Sequence, residues 1–357
     1  MMSLLWAGFL IGCVFGVAAR LGRFCLLRGL RQTLALDGEQ RSGAPALQAF
    51  ALALATALLM SQLLAERGQI DLTTAQVVRS SFSWFGALIG GLLFGGGMAL
   101  ARSCGARSLV LLAGGNLRSL VTLLCLGAAA QASLTGVLVP ARQWVQGFGK
   151  LSLEHATLPA RLLANGFSAT ATLALATGLP VLALLFYALR KPELRRSPVQ
   201  WIAALVIGAL VAAGWWITAY FNFESFEPVP LTSLSFVGPV AEGQLYLQLA
   251  VGRAFSLGPA MVAGTLVGAF VAALLSRTAR LEGFDGASRM LASATGGLLM
   301  GFGGVLAVGC SIGQGLTGLS TLAFASFPAV AGIVIGALAT LALQARTPFG
   351  QQGSLQA

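Results

Sequence analysis

The chain has 357 residues, 57% of them hydrophobic and only 9% charged, where an average soluble domain carries about 25% charged residues. The formal net charge is +11, from 22 Lys and Arg against 11 acids. On a soluble protein that balance would suggest nucleic acid, but the arginines here sit mainly in short loops between long apolar runs, so membrane topology accounts for them and no nucleic-acid partner is expected.

A helix needs about 20 apolar residues to cross a bilayer. Runs of that kind cover 3–20, 45–65, 83–102, 117–139, 169–189, 199–220, 257–276, 289–308 and 328–344. The composition therefore predicts an all-α polytopic membrane protein with about nine spans in one integral membrane domain. The opening "MMSLLWAGFLIGCVFGVAAR" has the length of a signal peptide, and "LIGC" looks like a lipoprotein box ending at Cys13. No Lys or Arg precedes the apolar run, however, and a signal peptide needs a charged n-region. The segment reads as the first span, inserted whole.

Basic loops face the cytoplasm. "RLGRFCLLRGLR" (20–31), "RKPELRR" (190–196) and "RTARLEGFDGASR" (277–289) all fall inside when the second of them does, and acidic "FNFESFEPVP" (221–230) falls outside. The N-terminus comes out external and the C-terminus cytoplasmic.

Two stretches are near copies. "GGLLFGGGMALARSCGARSLV" begins at Gly90 and "GGLLMGFGGVLAVGCSIGQGL" at Gly296. Without a gap, Gly91 aligns with Gly297, Gly95 with Gly301, Gly97 with Gly303, and Cys104 with Cys310. The two copies lie an odd number of crossings apart and run in opposite directions. An inverted repeat follows, about 1–139 and 199–344, with 169–189 as the linking span. Inverted repeats mark transporters whose substrate path lies between the halves.

After each cysteine comes a segment too short to span, "GARSLVLLAGGN" (105–116) and "SIGQGLTGLSTLA" (311–323). Both read as re-entrant half-helices, since irregular backbone at membrane depth survives only where it lines protein or a cavity. "RFCLLRGLR" around Cys25 is a third such element, and "PLTSLSFVGPVAEG" (230–243) is its counterpart without a cysteine. A half-helix N-terminus presents unpaired N–H groups that suit an anion. Arg102, Arg107 and Arg118 flank Cys104, and Arg20, Arg23, Arg28 and Arg31 surround Cys25. The span interiors carry no acids, which disfavours a cation or proton path.

The five cysteines form no CxxC, and the one histidine, His155, lies in a polar loop, so neither a metal site nor a cofactor is expected. Cys13 and Cys125 sit inside apolar runs as small hydrophobes. Cys25, Cys104 and Cys310 differ, with Gly, Arg and Ser around them. A soft, sulfur-bearing anion is the solute that would use polarizable thiols.

"GGLLFGGGMALARSCGARSLVLLAGGNLRSLV" and "GGLLMGFGGVLAVGCSIGQGLTGLS" resemble the paired motifs of the YeeE/YedE family of sulfur-compound transporters, as do "LGRFCLLRG" and "LTSLSFVGP". The resemblance implies thiosulfate uptake across the bacterial inner membrane, without catalysis. It also implies that Cys25, Cys104 and Cys310 pass the ion along by transient S–H hydrogen bonds. Gly105, Arg107, Gly309 and Ser311 beside those thiols complete the expected path. One departure is Ser103–Cys104, where the second copy has Gly309–Cys310. Some family members work with a TusA-like sulfur carrier; the tail "QARTPFGQQGSLQA" is too short to hold one, so that partner would be a separate protein. A rival reading from the residues is a membrane thiol oxidoreductase in which Cys104 and Cys310 react covalently, weakened by the lack of any flavin, haem or quinone motif. A purely structural subunit has no use for thiols at both breaks.

Overall fold

A computed structural model describes residues 2–35, 44–224, 230–252, 254–284 and 286–346. Among them, nine helices are long and apolar enough to cross a membrane, at the nine places expected, and the chain is a multi-pass membrane protein. Residues 347–357 of the C-terminal tail and 225–229 of the acidic stretch 221–230 lie outside the described residues.

The first half contains α1 (Met2–Leu21), the short α2 (Leu26–Thr33), α3 (Pro45–Glu66), α4 (Trp84–Leu100), the short α5 (Gly105–Ala113) and α6 (Leu117–Leu134). The span expected over 117–139 stops at Leu134, and a separate helix α7 (Val139–Gly147) begins one residue before Pro140. Proline at the first turn fits a helix start, where its missing N–H costs nothing. Strand β1 (Ser81–Ser83) pairs antiparallel with β2 (Lys150–Ser152), Phe82 opposite Leu151. This two-stranded clasp and α8 (Leu158–Ala164) cover one end of the bundle. The linking span runs from α9 (Ala169–Thr172) through a π-helical turn (Leu173–Gly178) into α10 (Leu179–Leu189) and packs on α3. After α11 (Pro192–Arg195), the second half contains α12 (Pro198–Glu224), the short α13 (Val237–Gln248), α14 (Leu257–Leu275), α15 (Ala287–Leu306) and α16 (Ser326–Arg346).

Helix pairing follows the glycines. A Cβ on Gly97 would lie 2.5 Å from the carbonyl oxygen of Gly296, and one on Gly296 would lie 2.6 Å from that of Gly97. Gly90 and Gly303 face each other in the same way, so α4 and α15 cross antiparallel with their backbones in direct contact. Gly91 and Gly95 seat α4 on the backbone of α16 at Ala329 and Ile333, while Gly297 and Gly301 seat α15 on α6 at Thr122 and Leu126. Lipid supplies no hydrophobic force between helices, so such close packing is what holds a membrane bundle together. Gly296→Leu puts a side chain against backbone that cannot give way. It is expected to lower the melting temperature of the purified protein by an amount equivalent to about 1–3 kcal/mol. Gly238→Ala, where nothing stands within 4 Å, is the control and should not fall.

Candidate functional site

Three helices break in the same manner. Each break places a non-glycine residue at positive φ two positions before a cysteine: Arg23 (47°) before Cys25, Arg102 (56°) before Cys104, and Val308 (56°) before Cys310. That conformation costs about 1–2 kcal/mol for an L-residue, and for β-branched Val308 it is a true outlier. Strain of this kind persists where the surrounding structure over-determines it, as at functional sites. In the third break Gly309 is also at positive φ (156°), where a Cβ would meet the Gln314 side chain at 3.0 Å. Ser103 has no positive φ; its hydroxyl instead pairs with that of Ser108 at 2.7 Å. This explains the departure of Ser103–Cys104 from Gly309–Cys310: the two turns differ by one residue's conformation.

The cysteine then stands in extended backbone at the helix N-cap, Cys25 on α2 and Cys104 on α5. Cys310 precedes a π-helical turn, Gly313–Gly318, rather than an α-helix. All three are buried, with 7%, 3% and 1% of their surface exposed.

The breaks converge. The buried thiols of Cys25 and Cys104 face each other, and the Ser311 hydroxyl of the third break lies on the Cys104 side, buried without a hydrogen-bond partner of its own. The amides of Leu27 and Arg28 point at the Cys25 sulfur, and the Arg107 amide points at Cys104. Gly313 N–H donates to the Cys310 sulfur at 3.3 Å, joined by the amides of Ile312 and Phe236. Phe236 belongs to the cysteine-free counterpart segment, whose helix, α13, starts at Val237. That segment is tied down by Thr317, which donates to the Leu234 carbonyl at 2.7 Å, and by the Phe236 ring packed 4.8 Å from that of Phe15. All four short elements thus reach the centre, three with a thiol and one with an amide.

Among the arginines expected near the thiols, Arg107 lies close enough for its charge to act on both Cys25 and Cys104. Its Nη1 also donates to the Ala19 carbonyl at 3.3 Å. Arg20 instead turns to Thr278, donating to its carbonyl and hydroxyl at 2.9 Å each. Arg23 and Arg102 are exposed.

Sequence reasoning missed a cavity of about 200 Å³. It lies at the end of α4 and α15 away from the arginine-rich 20–31 and 277–289 loops. Arg79, Lys150, Gln146, Ser83, Val308 and Gln314 line it. Arg142 stands beside Arg79: desolvation first, then this like charge, push the Arg79 guanidinium below its usual value. Gln314, buried at the cavity floor, donates to the carbonyls of Ala307 (2.7 Å) and Val308 (3.1 Å), two residues from Cys310. Arg79 and Lys150 are far apart in sequence and meet only through the β1–β2 clasp, so no local pattern could have joined them.

A protein-family model described as sulphur transport matches residues 21–339. The chain belongs to this family. It is also similar to two curated relatives, each named thiosulfate transporter TsuA. The one from Escherichia coli (strain K12) is 25% identical over 356 residues, covering 94% of this chain and 93% of the relative. The one from Spirochaeta thermophila is 28% identical over 339 residues, covering 93% and 97%. The matched span of the family contains Cys25, Cys104 and Cys310 together.

Cys13 and Cys125 stand apart from this cluster, half-buried on α1 and α6. Cys13→Ala and Cys125→Ala exchange one small apolar side chain for another. Uptake within twofold of wild type is the expected result for each, and complete loss at normal expression would place the path elsewhere.

Proposed function

We propose that this chain imports thiosulfate, or a closely related sulfur anion, through a central path lined by Cys25, Cys104 and Cys310. One observation carries the reading: three buried thiols stand at helix breaks of the same shape in one core, each with a backbone amide at its sulfur, two of them facing each other with the Arg107 charge nearby. Amides and a guanidinium hold an oxyanion end; polarizable S–H groups hold the sulfur end. The cavity with Arg79 and Lys150 is the entry, because its uncompensated positive charge raises the local anion concentration. From there the order is Gln314, Cys310, Ser311 with Cys104, then Cys25. Weak S–H contacts in series let an ion enter and also leave, as conduction requires. Gly105, at the first turn of α5, lets the Leu126 side chain of α6 pack close to the Cys104 break, where a Cβ would lie 3.2 Å from Leu126 Cδ1, and Gly309 permits the turn that aims Cys310.

The two halves, about 1–139 and 199–344, form an inverted repeat. Support comes from glycines in matching places performing matching tasks: Gly91 and Gly95 on α16, Gly297 and Gly301 on α6. The arginine-rich loops face the cytoplasm and the N-terminus faces outward in the bacterial inner membrane. A separate TusA-like sulfur carrier on the cytoplasmic face is the partner such cargo calls for. Cysteine-labelling of the 190–196 and 277–289 loops tests the orientation; both should label from the cytoplasm, and opposite sides would remove the inverted repeat.

Uptake of labelled thiosulfate in a sulfur-auxotrophic host decides the function. Expression of this chain should confer it. A folded, membrane-inserted chain that confers none would overturn the assignment and leave the thiol oxidoreductase as the standing alternative.

A further inference from the structure

We propose that Cys25 and Cys104 form a reaction site for polythionates, the oxidised congeners of the cargo, and that their reaction closes the path with a disulfide. The proposal rests on the transport reading above. Its geometric basis is independent of it: two buried thiols, at the N-caps of α2 and α5, face each other in one core, where the Arg107 bond to the Ala19 carbonyl holds α5 against the end of α1. Both sit at N-caps, outside the regular hydrogen bonding of a helix, where a sulfur can shift without breaking a helical turn. Arg107 stands against both sulfurs, positive charge where the sulfonate end of an incoming anion would lie.

Tetrathionate is two thiosulfates joined through a central S–S bond. Each end is the same tetrahedral sulfonate, so its leading end presents the path with the same group and charge that thiosulfate does. A path that admits the one end-on admits the other. One cysteine, as its thiolate, attacks a central sulfur of tetrathionate; the S–S bond breaks, thiosulfate leaves, and the cysteine carries an –S–SO3− group. The neighbouring thiolate then attacks the cysteine sulfur and expels a second thiosulfate. The balance is two thiols and one tetrathionate giving one disulfide, two thiosulfates and two protons. The two electrons lost by the cysteines reduce the central bond of tetrathionate. This is thiol–disulfide exchange, and its second step requires a second thiol within reach of the first. Cys25 and Cys104 meet that condition. The Cys310 sulfur is engaged by the amides of Ile312, Gly313 and Phe236.

The closed pair has neither S–H group left to pass an anion on. Reduction restores both. A transporter of reduced sulfur so built would shut when its external supply is oxidised and reopen in a reducing cell.

The test uses the full-length protein in proteoliposomes, treated with tetrathionate without reductant, then denatured, alkylated and mapped as non-reduced peptides. The expected result is a Cys25–Cys104 cross-link in most molecules, with Cys13 and Cys125 alkylated. Labelled thiosulfate uptake should fall at least about tenfold, since both S–H contacts of the pair to a charged group are lost, and return on adding a thiol reductant. Cys104→Ser should leave Cys25 holding the –S–SO3− adduct with no cross-link. Recovery of both cysteines in alkylated form overturns the proposal, as does a cross-link that leaves uptake unchanged. The cross-link is read by mass whether or not the chain transports. A failure of untreated protein to take up thiosulfate therefore strikes the transport assignment alone.

Discussion

Cys25→Ala, Cys104→Ala and Cys310→Ala are each expected to reduce labelled thiosulfate uptake by about tenfold to a hundredfold at unchanged expression. The magnitude follows from losing one hydrogen bond to a charged group, about 1.5–3 kcal/mol, at a position where the contacts act in series. The backbone amides at each sulfur remain, so the site keeps its anion preference but loses its soft donor. Cys→Ser retains a donor of similar size and replaces sulfur with harder oxygen, and an intermediate rate is expected at one of the three or more. A covalent mechanism separates cleanly from this. It requires Ser to be as inactive as Ala at the reacting residue, with an adduct on Cys104 or Cys310 during turnover. Intact-mass analysis of protein trapped while transporting thiosulfate, under reducing conditions, would reveal such an adduct, and high occupancy would sink the relay.

Arg107→Leu is expected to be nearly as severe. The guanidinium faces Cys25 and Cys104 and is pinned by its bond to the Ala19 carbonyl. Removing the charge deletes a side-chain cation that acts on both thiols, a loss of about 1.5–3 kcal/mol in anion occupancy. Arg107→Lys keeps the charge as a compact point but loses the planar fork that reaches Ala19 while facing the thiols. It should raise the concentration of thiosulfate needed for half-maximal uptake more than it lowers the maximal rate. Wild-type uptake by Arg107→Leu would show that the guanidinium only ties α5 to α1.

Much of this architecture is legible without coordinates. Apolar runs of about 20 residues have only one use in a chain with so few charges, so the nine crossings follow directly. The gapless match of the two motifs is equally local, and so are the shortness of 105–116 and the cysteines at the two breaks. The family resemblance rests on the same residues, and the match over 21–339 bears it out.

Other features could come only from the tertiary structure, because they depend on which segments meet. Seven arginines lie near Cys25 and Cys104 in sequence, and their order does not say that the Arg107 charge acts on both thiols while Arg20 turns to Thr278. Phe236 contributes a backbone amide, which no side-chain motif can announce. The contact between Cys25 and Cys104 spans most of the first half of the chain, and the cavity wall joins Arg79 to Lys150 through a strand pair three residues long. The strained turn before each thiol is invisible for the same reason: Arg, Arg and Val show no common preference for positive φ. What sequence determines here is the inventory, because hydrophobicity and helix length are properties of a segment. What the fold decides is convergence, since contact between remote segments is set by how glycine-faced helices pack across the whole bundle.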